Sequence, residues 1–313
     1  MKLEGIHHIS AITGDAVGNV EFYTGVLGLR MVKRTVNQDE PRMYHLFYGD
    51  EHGSPGMDLT FFEYPGAAPG VAGAGMVHRI VWRVASGEAL DFWREHLAAH
   101  DVAAELRDGA LLFADPEGLG HELVIDTSSD PRLTAYSPEI PAELALLGFD
   151  GVRAYSAQPH RSERLLGEVL GFKRRAGETW EVRGETRGST YAYDPAPPEL
   201  GRRQGAGSVH HVAFAAQFDE IEQWREHVAS SGDARPTPVI ERFYFKSVYF
   251  LEPSGVLFEI ATIGPGFAID EDAEHLGERL SLPAPFEPLR EQLERTLKPL
   301  PYPPAWRTAP AAG

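Results

Sequence analysis

Apolar and polar residues along this chain alternate in short strand-like runs separated by single helix-like stretches, and that order recurs four times. Runs with strand character open the repeats at Ile6–Ile12, Val77–Val84, Val152–Ala157 and Val209–Ala216. Helical spacing follows, with Val20, Tyr23, Val26 and Leu27 in the first copy and Ile221, Trp224 and Val228 in the last. Further strand-like runs complete each copy, such as Met43–Tyr48 and Leu59–Phe62, or Ser247–Leu251 and Val256–Ala261. The predicted unit is βαβββ. Four such modules, starting near Gly5, Gly75, Gly148 and Gly207, predict an α+β fold in which they pair into two open barrel-like sheets with helices outside.

The copies share sequence as well as pattern. Val77-His78-Arg79-Ile80 corresponds to Val209-His210-His211-Val212, and Trp93-Arg94-Glu95-His96 to Trp224-Arg225-Glu226-His227. Val26-Leu27-Gly28-Leu29 returns 143 residues later as Val169-Leu170-Gly171-Phe172. The first module thus resembles the third, and the second the fourth, as a duplicated pair would. Ser, Pro and Asp cluster in Asp126–Ala145, which predicts a joint. The expected division is 1–130 for an N-terminal pair of modules and 146–263 for a C-terminal pair. A proline-rich tail, 264–313, would pack across the body, with one helix-like stretch at Glu287–Leu297.

Where the repeat keeps its frame but changes residue type, chemistry can have been added. Neighbouring side chains on a strand face opposite ways, so one member of each His-His pair is expected to reach the concave side. Arg79 stands in the slot of His211, and Gly151 in that of His8, while the preceding position can keep its histidine, as at His78. This selects His8 and His211 over His7 and His210. Glu259 lies six residues after Pro253, as Glu122 lies six after Pro116. Flanked by Phe258 and Ile260, an unpaired carboxylate there would be costly, and a bound cation would account for it. Glu122 is expected to pair with an arginine instead. Glu63 falls outside the slot, because six residues after Pro55 is Phe61. Two imidazoles and one carboxylate on one face of an octahedral ion leave three positions open, the arrangement of non-haem Fe(II) enzymes. A structural zinc site would need a fourth protein ligand, and none is evident.

Composition narrows the rest. The 313 residues contain no cysteine, so disulfides and thiolate metal sites are excluded and any metal must be held by nitrogen and oxygen. With 46 acidic against 29 basic residues the net charge is −17, which disfavours nucleic acid and anionic membranes. Arg202-Arg203 in a glycine-rich loop is expected to be a solvated turn. No apolar run is long enough to span a bilayer and no secretory segment opens the sequence, so a cytoplasmic location is expected.

A family resemblance rests on several stretches spread nearly end to end. They are Gly5-Ile6-His7-His8-Ile9-Ser10, Tyr44-His45-Leu46 with Gly53-Ser54-Pro55-Gly56, Gly201-Arg202-Arg203-Gln204-Gly205, His210-His211-Val212-Ala213-Phe214 and Gly255-Val256-Leu257-Phe258-Glu259. Gly266-Phe267, Asp270-Glu271-Asp272 and Leu276-Gly277 in the tail fit too. The chain resembles the vicinal oxygen chelate superfamily of glyoxalase I, fosfomycin-resistance proteins and extradiol dioxygenases. More narrowly, it is similar to ring-cleaving dioxygenases that act on hydroquinones. The resemblance implies Fe(II), or alternatively Mn(II), held by His8, His211 and Glu259 at a site built by the first and fourth modules. It implies that His7, Ser10, His210, Arg242 and Tyr249 surround that site, and that a small aromatic substrate and O2 are the partners. Two rival readings are a glyoxalase-like isomerase and a non-enzymatic module that sequesters an aromatic drug, for which the run Phe243-Tyr244-Phe245 would serve. Exposed strand edges on open sheets predict a homo-oligomer.

Overall fold

The four predicted units form in the computed structural model, which describes residues 1–197 and 201–308. The first contains β1 (Ile6–Thr13), β2 (Arg30–Asn37), β3 (Glu40–Gly49) and β4 (Asp58–Glu63), and the second β5 (Met76–Val84), β6 (Ala104–Arg107), β7 (Ala110–Ala114) and β8 (Gly120–Ile125). The third contains β9 (Phe149–Ser156), β10 (Lys173–Arg174), β11 (Thr179–Arg183) and β12 (Gly188–Pro195). The fourth contains β13 (Ser208–Ala216), β14 (Ile240–Glu241), β15 (Lys246–Leu251) and β16 (Leu257–Thr262). A helical segment follows the first strand of each. It is α1 (Ala16–Val20) with a wider turn Glu21–Val26, α2 (Gly87–Ala99), short turns at Pro159–Ser162 and Leu165–Val169, and α3 (Ile221–Ser231). The Ser86 hydroxyl caps α2 by accepting from the Ala89 amide at 3.3 Å.

Two eight-stranded sheets result, in the orders β14-β15-β16-β13-β1-β4-β3-β2 and β10-β11-β12-β9-β5-β8-β7-β6. The first module therefore shares a sheet with the fourth, and the second with the third, through the antiparallel seams β1–β13 and β5–β9. The ranges 1–130, 146–263 and 264–313 stand as a proposed division of the chain, and each sheet draws one module from either side of the joint. Alternation sends Ile9, Val212, Phe258 and Ile260 into the main core with Tyr23, Trp93 and Trp224. The other face of the first sheet carries a smaller cluster, in which Phe47, Ala213, Tyr244 and Phe245 meet Phe267 and Leu276 of the tail. Lys33, fully buried on β2, fastens that tail by donating to the Phe267 carbonyl (3.1 Å) and Asp270 Oδ1 (2.8 Å) and by pairing with Glu271. The helix-like stretch in the tail appears as α4 (Arg290–Thr296), and 309–313 of the expected tail lie outside the described residues. Among the described residues no helix is long and apolar enough to cross a membrane.

A buried relay joins the first two modules. Trp82 Nε1 donates to His121 Nδ1 (3.0 Å), which leaves the proton of a neutral ring on Nε2, 3.1 Å from the Tyr23 hydroxyl. Tyr23 in turn donates to Asp115 (2.9 Å). Burial pushes His121 from 6.5 down to about 3. The unfolded chain therefore binds the extra proton below pH 6.5, and stability that is complete above that pH is lost as pH falls toward 3. Burial also raises Asp115 to about 6, an effect of opposite sign over part of the window, so the comparison must be made against a variant. Relative to wild type, His121→Gln is expected to recover about 1.4 kcal/mol per pH unit below pH 6.5, read as urea midpoints across a pH series.

Candidate metal centre

His8 on β1, His211 on β13 and Glu259 on β16 occupy three neighbouring strands. Their donor atoms converge. His8 Nε2 lies 3.2 Å from His211 Nε2 and 3.1 Å from Glu259 Oε2, and His211 Nε2 lies 2.8 Å from the same oxygen. Edges near 3 Å are what three mutually cis ligands span around an ion held at about 2.1 Å, the distance multiplied by the square root of two. Glu259 is wholly buried, and among the described residues neither carboxylate oxygen receives a hydrogen bond of acceptable geometry. Burial opposes its charge, yet the two imidazoles overcome this and hold the carboxyl well below the usual range. Three potential lone-pair donors facing one another at about 3 Å fit a divalent metal.

The twin half shows what the same slot does with a cation supplied by the chain. Glu122 pairs with Val81, two residues past Arg79, as Glu259 pairs with Ala213, two past His211. There, Arg79 Nη1 donates to Glu122 at 3.0 Å. In the third module a Cβ at Gly151 would come within 2.2 Å of the Thr190 carbonyl oxygen, so no side chain fits that slot. By strand register, the first module's counterpart of Glu259 is Thr60, opposite Ser10, and not Phe61 as residue counting suggests. Glu63 sits three residues further on, outside the slot.

Strict alternation does not hold at the His-His pairs. Pairing skips from Ile6–Phe214 to His8–Ala213 and from Ser10–His211 to Ala11–Val209, so His7 and His210 are the extra residues of two β-bulges. The bulges bring the two rings of each pair together, while only His8 and His211 line the cavity. Nδ1 of His7 lies 3.1 Å from Nδ1 of His8, and Nδ1 of His210 lies 2.8 Å from Nδ1 of His211. If Nε2 of His8 and of His211 is free of hydrogen, as metal binding would require, Nδ1–H donates to the preceding ring and orients the imidazole. Burial lowers His7 to about 3 and His210 to about 4, which keeps both supporting rings neutral and able to accept. The second sheet has the same bulges at His78 and Asp150, so they belong to the scaffold.

A cavity with about 450 Å³ of free space, open mouth included, is lined by His8 and His211 of the triad. Three of the residues implied by resemblance line it, namely Ser10, Arg242 and Tyr249, whereas His7 and His210 do not and adjoin His8 and His211 instead. Arg242 lies over the Tyr249 ring, 5.5 Å from its centroid, and pairs with Asp39 at 3.2 Å. Burial pushes the Tyr249 phenol well up, so it stays protonated. Neither His45 nor Thr60 is among the site residues expected from the sequence. His45 is sandwiched between Phe47 and Phe62, at 4.0 and 4.1 Å between centroids, and its Nε2 is 3.0 Å from Thr60 Oγ1, which lies 2.7 Å from Ser10 Oγ. Burial, and then the neighbouring His8 and His211, hold His45 well below its usual value, so it is neutral. The alternation of His45 with Phe47 on a strand was the available signal. A second group, His7, His8 and Asp58, also has its donor atoms within 4.8 Å of one another. Burial raises Asp58 to about 8, and neither it nor His7 lines the cavity, so an ion held there would not meet a substrate.

Residues 5–123 match the Glyoxalase/Bleomycin resistance protein/Dioxygenase superfamily. MhqO of Bacillus subtilis (strain 168), provisionally named a ring-cleaving dioxygenase, is 41% identical over 305 residues, spanning 95% of this chain and 97% of that protein. Chlorohydroquinone/hydroquinone 1,2-dioxygenase of Sphingobium indicum is 32% identical over 322 residues, with 95% and 96% covered. A crystal structure of a provisionally named dioxygenase from Bacillus subtilis superposes with a TM-score of 0.88 at 41% identity, covering 96% of this chain and 98% of the other. With its paired βαβββ modules and these relatives, the chain belongs to the vicinal oxygen chelate (glyoxalase/dioxygenase) superfamily, in the family of hydroquinone-type ring-cleaving dioxygenases.

Proposed function

We propose that this protein is an Fe(II)-dependent, extradiol-type dioxygenase that opens the ring of hydroquinone-like or catechol-like aromatics and inserts both atoms of O2. His8, His211 and Glu259 would be the metal ligands. The observation that carries this reading is the buried triangle of donor atoms facing an aromatic-lined cavity, in a slot that its twin fills with Arg79. Fe(II) held there would supply the one-electron route that a closed-shell ring and triplet oxygen lack.

The chain's own groups do the rest. Phe47, Phe62 and Phe245 flank a planar ring and exclude water from it. His45, neutral and tied to Thr60, can take the proton of a ring hydroxyl as the phenolate forms, and return it later. Arg242 lays a fixed positive charge over Tyr249 and beside the space where negative charge develops on oxygen. Tyr249, protonated, donates a hydrogen bond into the same space. His7 and His210 keep the ligand rings in place. Partners under this reading are a small aromatic and O2, the compartment is the cytoplasm, and the assembly is a homo-oligomer.

Anaerobic reconstitution with Fe(II) or with Mn(II), followed by oxygen-electrode assays against substituted hydroquinones and catechols, tests it. One O2 is expected per ring lost. Isomerisation without oxygen uptake would favour the glyoxalase-like reading, and tight aromatic binding without turnover the sequestering one.

A further inference from the structure

We propose that Thr35 reads the hydroxyl at the far side of the ring and so selects para- over ortho-dihydroxylated substrates; this rests on the ring-cleaving reading above. Thr35 lines the cavity, is 1% exposed, and its Oγ1 has no hydrogen-bond partner among the described residues. A buried hydroxyl is ordinarily satisfied, so one left open on a cavity wall is a place where a ligand completes the bond. Its position fits one ring atom in particular. Strand order runs β1-β4-β3-β2, and along it Ser10, Thr60 and His45 form a hydrogen-bonded polar row that starts on the strand of His8. Thr35 on the edge strand β2 is the direct cross-strand neighbour of His45, so it extends the row at the end away from the ligands.

A substrate with one hydroxyl at the triad presents a para hydroxyl toward that end. The second hydroxyl of a catechol stays beside the first and never reaches it. Other polar side chains at that end each have an atom engaged. Asn37 Oδ1 accepts from the Asp39 amide (2.9 Å), Gln38 Nε2 donates to the Arg242 carbonyl (2.9 Å), and the Asp39 carboxylate pairs with Arg242. Thr35 remains as the hydroxyl with both donor and acceptor capacity to offer.

The test compares Thr35→Val, which keeps shape and loses the hydroxyl, with Thr35→Ser, which keeps the hydroxyl. Binding of hydroquinone and of phenol to the Fe(II)-reconstituted full-length protein is measured by anaerobic calorimetry. Wild type is expected to bind hydroquinone more tightly than phenol. Thr35→Val is expected to weaken hydroquinone about tenfold and leave phenol unchanged, while Thr35→Ser retains the difference. In turnover, the ratio of kcat/KM for hydroquinone to that for catechol should fall by a similar factor in Thr35→Val. Equal weakening of both ligands by Thr35→Val, or no change in either, overturns the assignment. A wild type that binds neither ligand and consumes no oxygen with any ring overturns the dioxygenase reading, and the role of Thr35 with it.

Discussion

Glu259→Gln is expected to fold normally, to lose its metal on desalting, and to take up oxygen on the order of a thousandfold more slowly than wild type, a barrier increase of about 4 kcal/mol. Two effects on stability accompany this outcome, and the second separates it from simple damage. Without added metal, an amide at position 259 forfeits the attraction of the His8 and His211 imidazoles that holds the carboxyl low, so at pH 7 the variant should be less stable than wild type. With added metal, wild type should gain about 2.7 kcal/mol at a concentration one hundred times Kd, and the variant should gain nothing. Metal content by elemental analysis and thermal unfolding with and without Fe(II) or Mn(II) read both. The twin slot provides the control. Glu122→Gln removes a carboxylate already satisfied by Arg79, so it should leave metal content and turnover untouched. A Glu259→Gln protein that retains metal and full activity would show that the triangle of donor atoms is not the centre.

The repeat made most of the scaffold readable, because each module has to bury one face of its strands and so writes the same alternation four times. It also exposed the triad. A residue type that changes within a fixed frame, Arg79 for His211 and Gly151 for His8, marks where the frame was used differently, and the expected arginine partner of Glu122 is Arg79 itself. Contacts that depend on strand pairing were less legible. Nothing in the local pattern says that β1 lies against β13, and residue counting along one strand chose Phe61 where pairing across strands chooses Thr60. The bulges at His7 and His210 are equally silent in the sequence, since an extra residue is defined only by the partner it fails to meet. His45 reaches the cavity because the first sheet carries β3 round to face the triad, a consequence of long-range order rather than of its neighbours.

The joint Asp126–Ala145 has the composition of a slack linker, yet Asp130→Ala is expected to be among the most destabilising single changes in the protein. Asp130 accepts from Arg83 Nη1 (2.7 Å), Arg183 Nη1 (2.7 Å) and the Gly188 amide (3.0 Å), thereby tying the connecting segment to β5, β11 and β12 at once. The side chains of Asp130 and Arg83 are each only 3% exposed. Deleting the carboxylate strands a buried guanidinium, for which about 3–5 kcal/mol is typical. The lower end applies here, because Asp150 (3.3 Å) and Asp126 (3.8 Å) stay near Arg83. The seam also reaches the strand of His8, since Ser189, next to Gly188, holds the Ile6 amide of β1 through its hydroxyl at 2.9 Å. Loosening it should therefore weaken metal retention as well as the fold. The pH dependence has a definite sign. Burial alone would raise the Asp130 carboxyl, but hydrogen bonds from Arg183 and Arg83 outweigh it and hold the group well below its usual 3.8. Its contribution is present in full above that value and is lost as pH falls through the depressed folded one. The gap between wild type and Asp130→Ala in urea midpoints should thus be widest near pH 7 and should close under strong acid. A gap below about 1 kcal/mol at pH 7 would mean that Asp150 and Asp126 take over the guanidinium, and that the seam is held by Arg187, which donates to the Pro131 carbonyl at 2.8 Å, more than by Asp130.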